Sequence, residues 1–491
     1  MPKASKPTTP VRYLATMRCL VSILSLFLLA LTGCSPTPAR PNILILLVDD
    51  LGWRDFGPFG QDLAETPNID AFAKQSVRFT AAYSAGPVCS PTRAAIITGQ
   101  YPARVNINDW IPGTRFPKAQ TLPPPDLDQL PLEQVTLAEA LRGAGYSTFH
   151  VGKWHLGGAG FLPQDQGFDV NIMGSHIGHP ASHFFPYGNS LDSKPAASHA
   201  VPLPTLERRQ DEYLADRQAD EAITLLRNAA TQTRPFFMHL SFYAIHTPWE
   251  APAALIEKYQ ARARQRPGGD KIPRAQIIAA AMIETTDRAI GRVLDELHAS
   301  GMDANTLVFL TSDNGGLGPA SDNRPLRGQK RSLWEGGIRV PLMVRWPGLN
   351  APGAIVSEPV ISQDLFATAC DAAGVPVGAE VKEDARALTP LLRGRAVTPA
   401  REAIFWHFPH NETAQVGPRG AVRRGQLKLI EEYQTGERLL FDLSADPSET
   451  TNVAAKFPDT AAQLAQLLHA WRERVGAKMP TPNPQADHGA N

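Results

Sequence analysis

Ile43-Leu44-Ile45-Leu46-Leu47-Val48 runs without interruption into Asp49-Asp50. Such a run does not alternate, so the strand it predicts is covered on both faces, as in a parallel sheet. The design recurs along the chain. Leu307 to Thr311 stops at Ser312-Asp313-Asn314-Gly315-Gly316, Phe236 to Tyr243 precedes His246, and Thr148 to Val151 precedes Lys153-Trp154-His155. Helical patterns lie between these runs. Ala275 to Ser300 is the clearest, with Ile278, Met282, Ile290, Val293, Leu294 and Leu297 on one stripe and Gly301 as its stop. Strands alternating with helices predict an α/β protein with an open, mostly parallel central sheet and helices on both faces. Ligands of such sheets bind beyond the carboxyl ends of the strands, where these polar segments gather.

The chain has 491 residues, long for one ordinary domain and short for three. With 43% hydrophobic residues it can build a large core, and 48 basic residues against 48 acidic ones leave no basic field for nucleic acid. Its 44 prolines and 38 glycines are spread along the chain, which predicts long ordered loops. Near the end, Gln426 to Ile430 and Arg438 to Leu443 read as strands, and Asp459 to Val475 puts Leu464, Leu467, Leu468 and Trp471 on one helix face. The expected organisation is a main domain over 42–390, a C-terminal antiparallel sheet with one packed helix over 391–478, and a frayed tail over 479–491.

The first 33 residues read as a secretory signal. Lys3, Lys6, Arg12 and Arg18 precede an apolar run from Cys19 to Leu31 that is too short to span a bilayer. Leu31-Thr32-Gly33-Cys34 resembles a bacterial lipobox, which implies cleavage before Cys34, lipidation of that cysteine and a Pro-rich tether over 34–41. A plain signal peptide ending near a cysteine is the alternative. The expectation is an exported, membrane-anchored lipoprotein, periplasmic or at the cell surface, with a mildly acidic mature chain. Cys89 and Cys370 then remain, and either they pair or one of them does chemistry.

Gly86-Pro87-Val88-Cys89-Ser90-Pro91-Thr92-Arg93 gives the context. Ser90 is a good N-cap and Pro91 suits the first helical position, so a helix is predicted to begin here. Cys89 then sits at the positive end of a helix dipole, where backbone N–H groups attract anions, with Arg93 one turn on.

Cys89-Ser90-Pro91-Thr92-Arg93 resembles the Cys-x-Pro-x-Arg signature of type I sulfatases, whose cysteine is oxidised to formylglycine (3-oxoalanine) by maturation machinery. The resemblance continues in order through Gly99-Gln100-Tyr101-Pro102-Ala103-Arg104, Gly152-Lys153-Trp154-His155-Leu156-Gly157, Ser312-Asp313-Asn314-Gly315-Gly316, Gly328-Gln329-Lys330 and Trp334-Glu335-Gly336-Gly337-Ile338-Arg339-Val340-Pro341. It implies an alkaline-phosphatase-like fold and hydrolysis of sulfate monoesters.

A sulfate ester resists attack because its anionic oxygens repel nucleophiles, so charge neutralisation should dominate catalysis. Asp49, Asp50, Asp313 and Asn314 are hard oxygen donors suited to calcium, and magnesium would take the same donors. By the family pattern these four, with the modified residue 89, hold one Ca²⁺. The resemblance further implies that a hydroxyl of hydrated formylglycine attacks sulfur, that Arg93 steadies the diol, and that Lys153 and Lys330 bind the sulfate. His246, with Lys330, would protonate the leaving oxygen, and His155 would take the proton whose loss expels sulfate. Trp334 to Gly337, Gly315 and Gly316 read as backbone devices.

Specificity should come from loops. Ser175 to Tyr187 is rich in histidine and aromatics, suited to a sugar-binding wall that includes His179 and His183, and His407 or His410 would reach the pocket from the C-terminal part. The favoured reading is desulfation of sulfated carbohydrates. Two others share the residues: a phosphate or phosphonate ester hydrolase of the same superfamily, which would usually use two metals, and a non-catalytic glycan-binding lipoprotein, which has no use for His155 as a base.

Overall fold

In the computed structural model, which describes residues 40–188, 200–202, 212–349, 351–398 and 400–486 together with Met1 and Ala4, Pro41 onward forms one compact unit. The predicted signal, Cys34 and most of the tether lie outside the described residues. The opening apolar run is strand β1 (Asn42–Val48), and Ile43 through Val48 are all fully buried. Seven more strands join it: β2 (Val77–Phe79), β3 (Ser147–Gly152), β4 (Val170–Ile172), β5 (Phe236–Ser241), β6 (Thr306–Ser312), β7 (Leu342–Arg345) and β8 (Ile355–Val356). Their order is β8-β2-β7-β6-β1-β5-β3-β4. Only β7 runs antiparallel to its neighbours β2 and β6. In register, Ile43 of β1 lies opposite Phe237 of β5 and Leu307 of β6, so β1, β5 and β6 deliver their polar endings to one edge of the sheet.

The period of two along β1 divides the core. Leu44, Leu46 and Val48 face helices α1 (Pro67–Gln75), α4 (Leu214–Ala230), α5 (Ala253–Arg264) and α6 (Arg274–Ala299). Ile43, Ile45 and Leu47 face α2 (Cys89–Thr98), α3 (Leu137–Gly143) and α7 (Asp364–Ala373). Cys370 belongs to this second core. Burial pushes its thiol up to about 12, and both Cys370 and Cys89 are free.

The C-terminal part is a four-stranded antiparallel sheet of β9 (Ile404–Phe408), β10 (Arg419–Arg424), β11 (Leu427–Glu432) and β12 (Arg438–Asp442). Helix α8 (Pro458–Val475) packs on it through Leu464, Leu468 and Trp471, with the Trp471 ring stacked on Phe405 at 4.9 Å. The tail is a correction: Thr481–Pro482 pairs with Thr121–Leu122, and the Asn483 amide donates to Pro117 O (3.0 Å) and Ala119 O (2.7 Å). Prolines at 480, 482 and 484 favour an extended chain, which suits an added edge strand.

A buried ion network ties this sheet to the main domain. Lys428, with no exposed surface, reaches Glu335 and Glu449 at 2.9 Å each, and Glu335 also accepts from the Tyr83 hydroxyl at 2.7 Å. Lys428→Met would leave two buried carboxylates without their cation. The expected loss of stability is about 3–5 kcal/mol, read as a fall in the denaturant midpoint.

Candidate active site

Helix α2 begins two residues earlier than the sequence reading: Val88 is the N-cap and Cys89 is the first helical residue. Ser90 does not cap because its hydroxyl is engaged elsewhere. It donates to His155 O (2.9 Å) and accepts from Ile111 N (3.1 Å), stitching the helix start to two loops. Cys89 keeps its place at the positive helix end. Its Sγ lies 3.6 Å from Asp49 Oδ1 and 3.4 Å from Lys330 Nζ.

The strand endings converge on this sulfur. Asp50 turns there with φ of 61°, its N–H donates to Asp313 Oδ1 (3.1 Å), and Leu51 N–H donates to Ser312 Oγ (3.0 Å). Three cations answer three carboxylates. Lys153 Nζ meets Asp49 Oδ2 at 2.6 Å, Lys330 Nζ meets Asp50 Oδ1 at 2.6 Å, and Arg93 Nη2 meets Asp313 Oδ2 at 2.7 Å. Arg93 is also held by Lys153 O (3.0 Å) and Ser241 Oγ (2.6 Å). All of these carboxylates are buried. Burial and the neighbouring Asp313 push Asp49 well up. Burial opposes charge on Asp50 too, but Lys330, His246 and Lys153 outweigh it and hold Asp50 below the ordinary carboxylate range.

Two oxygens in this cluster have no hydrogen-bond partner among the described residues. Asp50 Oδ2 and Asn314 Oδ1 are buried and bond to no described residue, while Asn314 Nδ2 donates to Asp50 Oδ1 at 2.8 Å. Ligand atoms of Asp49, Asp50, Cys89 and His246 all lie within 4.8 Å of one another. Orphaned hard oxygens beside two further carboxylates fit a divalent cation, because such atoms are costly to bury unpaired. Gly315 follows directly. A Cβ there would lie 2.0 Å from Gly336 O, so the loop Trp334 to Gly337 packs against the backbone that carries Asn314.

The histidines divide by role. His155 Nε2 lies 2.6 Å from Ile111 O, and a carbonyl only accepts, so Nε2 carries the proton. Nδ1 is then a buried lone pair with no described partner, and burial and Lys153 keep the ring neutral by holding its pKa well below the ordinary value. His246 Nε2 is 3.2 Å from Lys330 Nζ and 3.6 Å from Asp50 Oδ2. Burial, then the Lys330 charge, depress it. The His179 ring stacks on His246 at 5.4 Å with an interplanar angle of 2°.

Two positions depart from the sequence reading. His183 is fully buried behind His246, with Nε2 2.9 Å from His246 O and its N–H donated to Glu250 at 2.8 Å, so it braces the site instead of facing a ligand. His407 is not brought to the cluster: it is closed between the Tyr433 hydroxyl (2.7 Å) and Lys478 O (2.9 Å), and burial takes its pKa to about 4. Its strand position turns it toward the C-terminal sheet. His410 lies 3.0 Å from Asp126 and 3.7 Å from Asp109, at the loop that carries Ile111. Ser241 and the Ile111 carbonyl were not among the expected residues. The end of the apolar run Phe236–Ser241 was the available signal for Ser241, whereas a backbone acceptor leaves none in a sequence.

With this geometry in place, the relatives are informative. The Sulfatase family model matches residues 41–375, and that of the N-sulphoglucosamine sulphohydrolase C-terminal region matches 328–474. The chain belongs to the sulfatase family and is a hydrolase of sulfuric esters. Human arylsulfatase A is 32% identical, covering 90% of this chain and 89% of that protein, and human N-acetylgalactosamine-6-sulfatase is 32% identical over 92% and 89%. Among solved structures, Ps i-CgsB superimposes with a TM-score of 0.75 at 26% identity, covering 92% of this chain and 95% of that one.

Ser241→Ala would remove a close acceptor of the buried Arg93 guanidinium. The expected loss is about 1.5–3 kcal/mol in chemical denaturation, the range for a hydrogen bond to a charged group.

Proposed function

We propose that the chain removes sulfate from carbohydrates, using a formylglycine made from Cys89 and one calcium ion. The observation that carries this reading is the setting of Cys89 Sγ at a helix N-terminus, between Asp49 and the Lys330 ammonium and beside the unpartnered oxygens of Asp50 and Asn314. Asp49, Asp50, Asp313 and Asn314 would hold the cation, which supplies charge neutralisation against the sulfate oxygens when bound. Formylglycine at position 89, in its hydrated form, would supply one hydroxyl as a nucleophile and a second from which a base could take a proton.

The chain's own residues do the remaining work. Lys153 and Lys330 present ammonium groups to an anion. Burial disfavours the charge of Lys330, but Asp50, Cys89 and Asp49 more than offset it, so Lys330 keeps its proton and donates toward His246. That pair is the proton source for a leaving alcohol. His155 Nδ1, free because Ile111 fixes the other nitrogen, is the base. Arg93, tied to Asp313, Ser241 and the Lys153 carbonyl, holds the frame of residue 89.

A carbohydrate substrate is supported by the relatives' names and by one complex. N-acetylgalactosamine-6-sulfatase acts on a sugar sulfate by its name, and Ps i-CgsB has been crystallised with k-i-k-neocarrahexaose. The half-buried His179 ring beside His246 suits a sugar hydroxyl at the rim. Export as a lipid-anchored protein through Cys34 rests on the sequence pattern. Among the described residues no helix is long and apolar enough to cross a membrane.

Mass spectrometry of the Cys89 peptide from protein made in its native host tests the nucleophile directly. An aldehyde, or its hydrazine adduct, is the expected result, and an unmodified thiol in active enzyme would refute it. Cys89→Ala should abolish release of sulfate from sulfated sugars. Chelation should do the same reversibly, with calcium restoring activity. His155→Asn should lower kcat by about 10²–10⁴-fold, the usual contribution of a positioned base, with KM little changed.

A further inference from the structure

Lys330 reaches the strand ends from a loop, and that loop has a buried fastening. Its ammonium group must lie at once beside Asp50, the sulfur of Cys89 and the His246 ring, at 2.6, 3.4 and 3.2 Å. A lysine stem is long and flexible, so these contacts depend on where its backbone is pinned. Lys330 N–H donates to Gly316 O at 3.1 Å. Asn323, only 8% exposed, spends its amide on the same place: Nδ2 donates to Gly316 O at 3.0 Å and to Gly328 O at 3.3 Å. Both partners are carbonyls, which only accept, so the amide nitrogen faces them. A second side-chain bond across the loop, from Gly318 N–H to Gln329 Oε1 at 2.9 Å, is exposed to water, so the buried amide is the firmer tie.

The Oδ1 side of the same amide meets the loop after β1. A Cβ at Gly52 would lie 2.6 Å from Asn323 Oδ1 and 2.4 Å from Ser321 Oγ, so both side chains pack straight onto backbone two residues past Asp50. The Ser321 hydroxyl bonds to Asp55, which also accepts from Gly52 N–H at 2.7 Å. Asn323 thus touches three stretches of backbone: the one after Asp50, the one after Asn314 and the one before Lys330. We propose that Asn323 is a positioning residue for Lys330, setting the reach of its ammonium to His246 and, through that pair, the delivery of a proton to the leaving oxygen. The inference rests on the reading of Lys330 and His246 as the proton source. Small displacements matter here, because a reacting group moved by about 1 Å can cost on the order of 10²-fold in rate.

The test compares kcat/KM, for protein made in its native host, on two aryl sulfates of similar shape. The leaving phenolate of para-nitrophenyl sulfate needs little help from a proton, and the more basic one of para-methoxyphenyl sulfate needs more. Asn323→Leu keeps the outline of the amide and removes its donors. It should lower kcat/KM on the methoxy ester about ten-fold more than on the nitro ester, because loss of a positioned acid is felt in proportion to leaving-group basicity. Mere loss of folded enzyme lowers both alike, and an unchanged ratio would overturn the proposal. Lys330→Ala is the reference. If it shifts the ratio and Asn323→Leu does not, the positioning role fails while the proton source stands. If Lys330→Ala leaves the ratio unchanged, the proton-source reading fails, and a crystal structure of Asn323→Leu decides the positioning role. Lys330 Nζ should then lie beyond hydrogen-bond reach of His246 Nε2, and a contact kept at 3.2 Å would overturn it. Should Asn323→Leu not fold, Gly52→Ala takes its place, since its methyl group drives into Asn323 and Ser321 from the other side and should shift the same ratio.

Discussion

Asp49, Asp50 and Asp313 sit within the buried ends of two adjacent strands, where like charges could not persist unaided. Lys153, Lys330 and Arg93 supply one cation to each at 2.6–2.7 Å, so the cluster is neutral overall while remaining intensely polar. Most of the site's other features follow from this balance. Arg93 must come from the helix that begins at Cys89, so charge neutralisation at Asp313 also fixes where the sulfur lies. Lys330 must come from the loop after β6, so neutralising Asp50 brings that loop, and with it the partner of His246, over the strand ends. The unfilled valences of Asp50 Oδ2 and Asn314 Oδ1 are what a divalent cation would complete.

A second layer holds the first. Lys330 N–H donates to Gly316 O at 3.1 Å and Arg331 N–H to Pro87 O at 2.8 Å, so the lysine is fastened to both the loop that carries Asp313 and Asn314 and the segment before Cys89. The Arg331 side chain then grips Asn411 O and Glu412 O from the C-terminal part. Together with Lys428 beneath the Glu335 loop, these contacts make the small antiparallel sheet a structural partner of the loops that carry Lys330 and Asn314. Positions that look like surface charges in the sequence therefore carry buried bonds, and their removal leaves a charge stranded in low dielectric instead of a neutral gap.

The parallel strands were legible because burial on both faces leaves an unbroken apolar run, which few other contexts require. The polar endings of those runs were legible for the same reason, since a sheet that buries its strands exposes only their ends. Helix boundaries were less so: Ser90 looks like a cap, yet its hydroxyl is taken by His155 O and Ile111 N, partners that lie 65 and 21 residues away. His183 and His407 show the same limit. His183 lies in a segment whose composition suits a sugar wall and His407 in one read as reaching the pocket, but a ring's direction depends on what else competes for it, and here His246 O, Tyr433 and Lys478 O won. In the C-terminal tail, read as frayed, Thr481–Pro482 found an edge at Thr121–Leu122: the prolines there favour an extended chain, but a partner more than 350 residues away is not written in them.

What the sequence determined by itself was the α/β architecture, the strand-end positions of the acidic residues and the motif around Cys89, because each is written in local pattern and spacing. Tertiary structure alone decided which cation neutralises which carboxylate, which nitrogen of His155 is left without a proton, and which histidines face the site. These are competitions among groups far apart in the chain. Their outcome is set by distances of a few ångströms in a buried, low-dielectric interior, where a hydrogen bond made to one partner is withheld from every other.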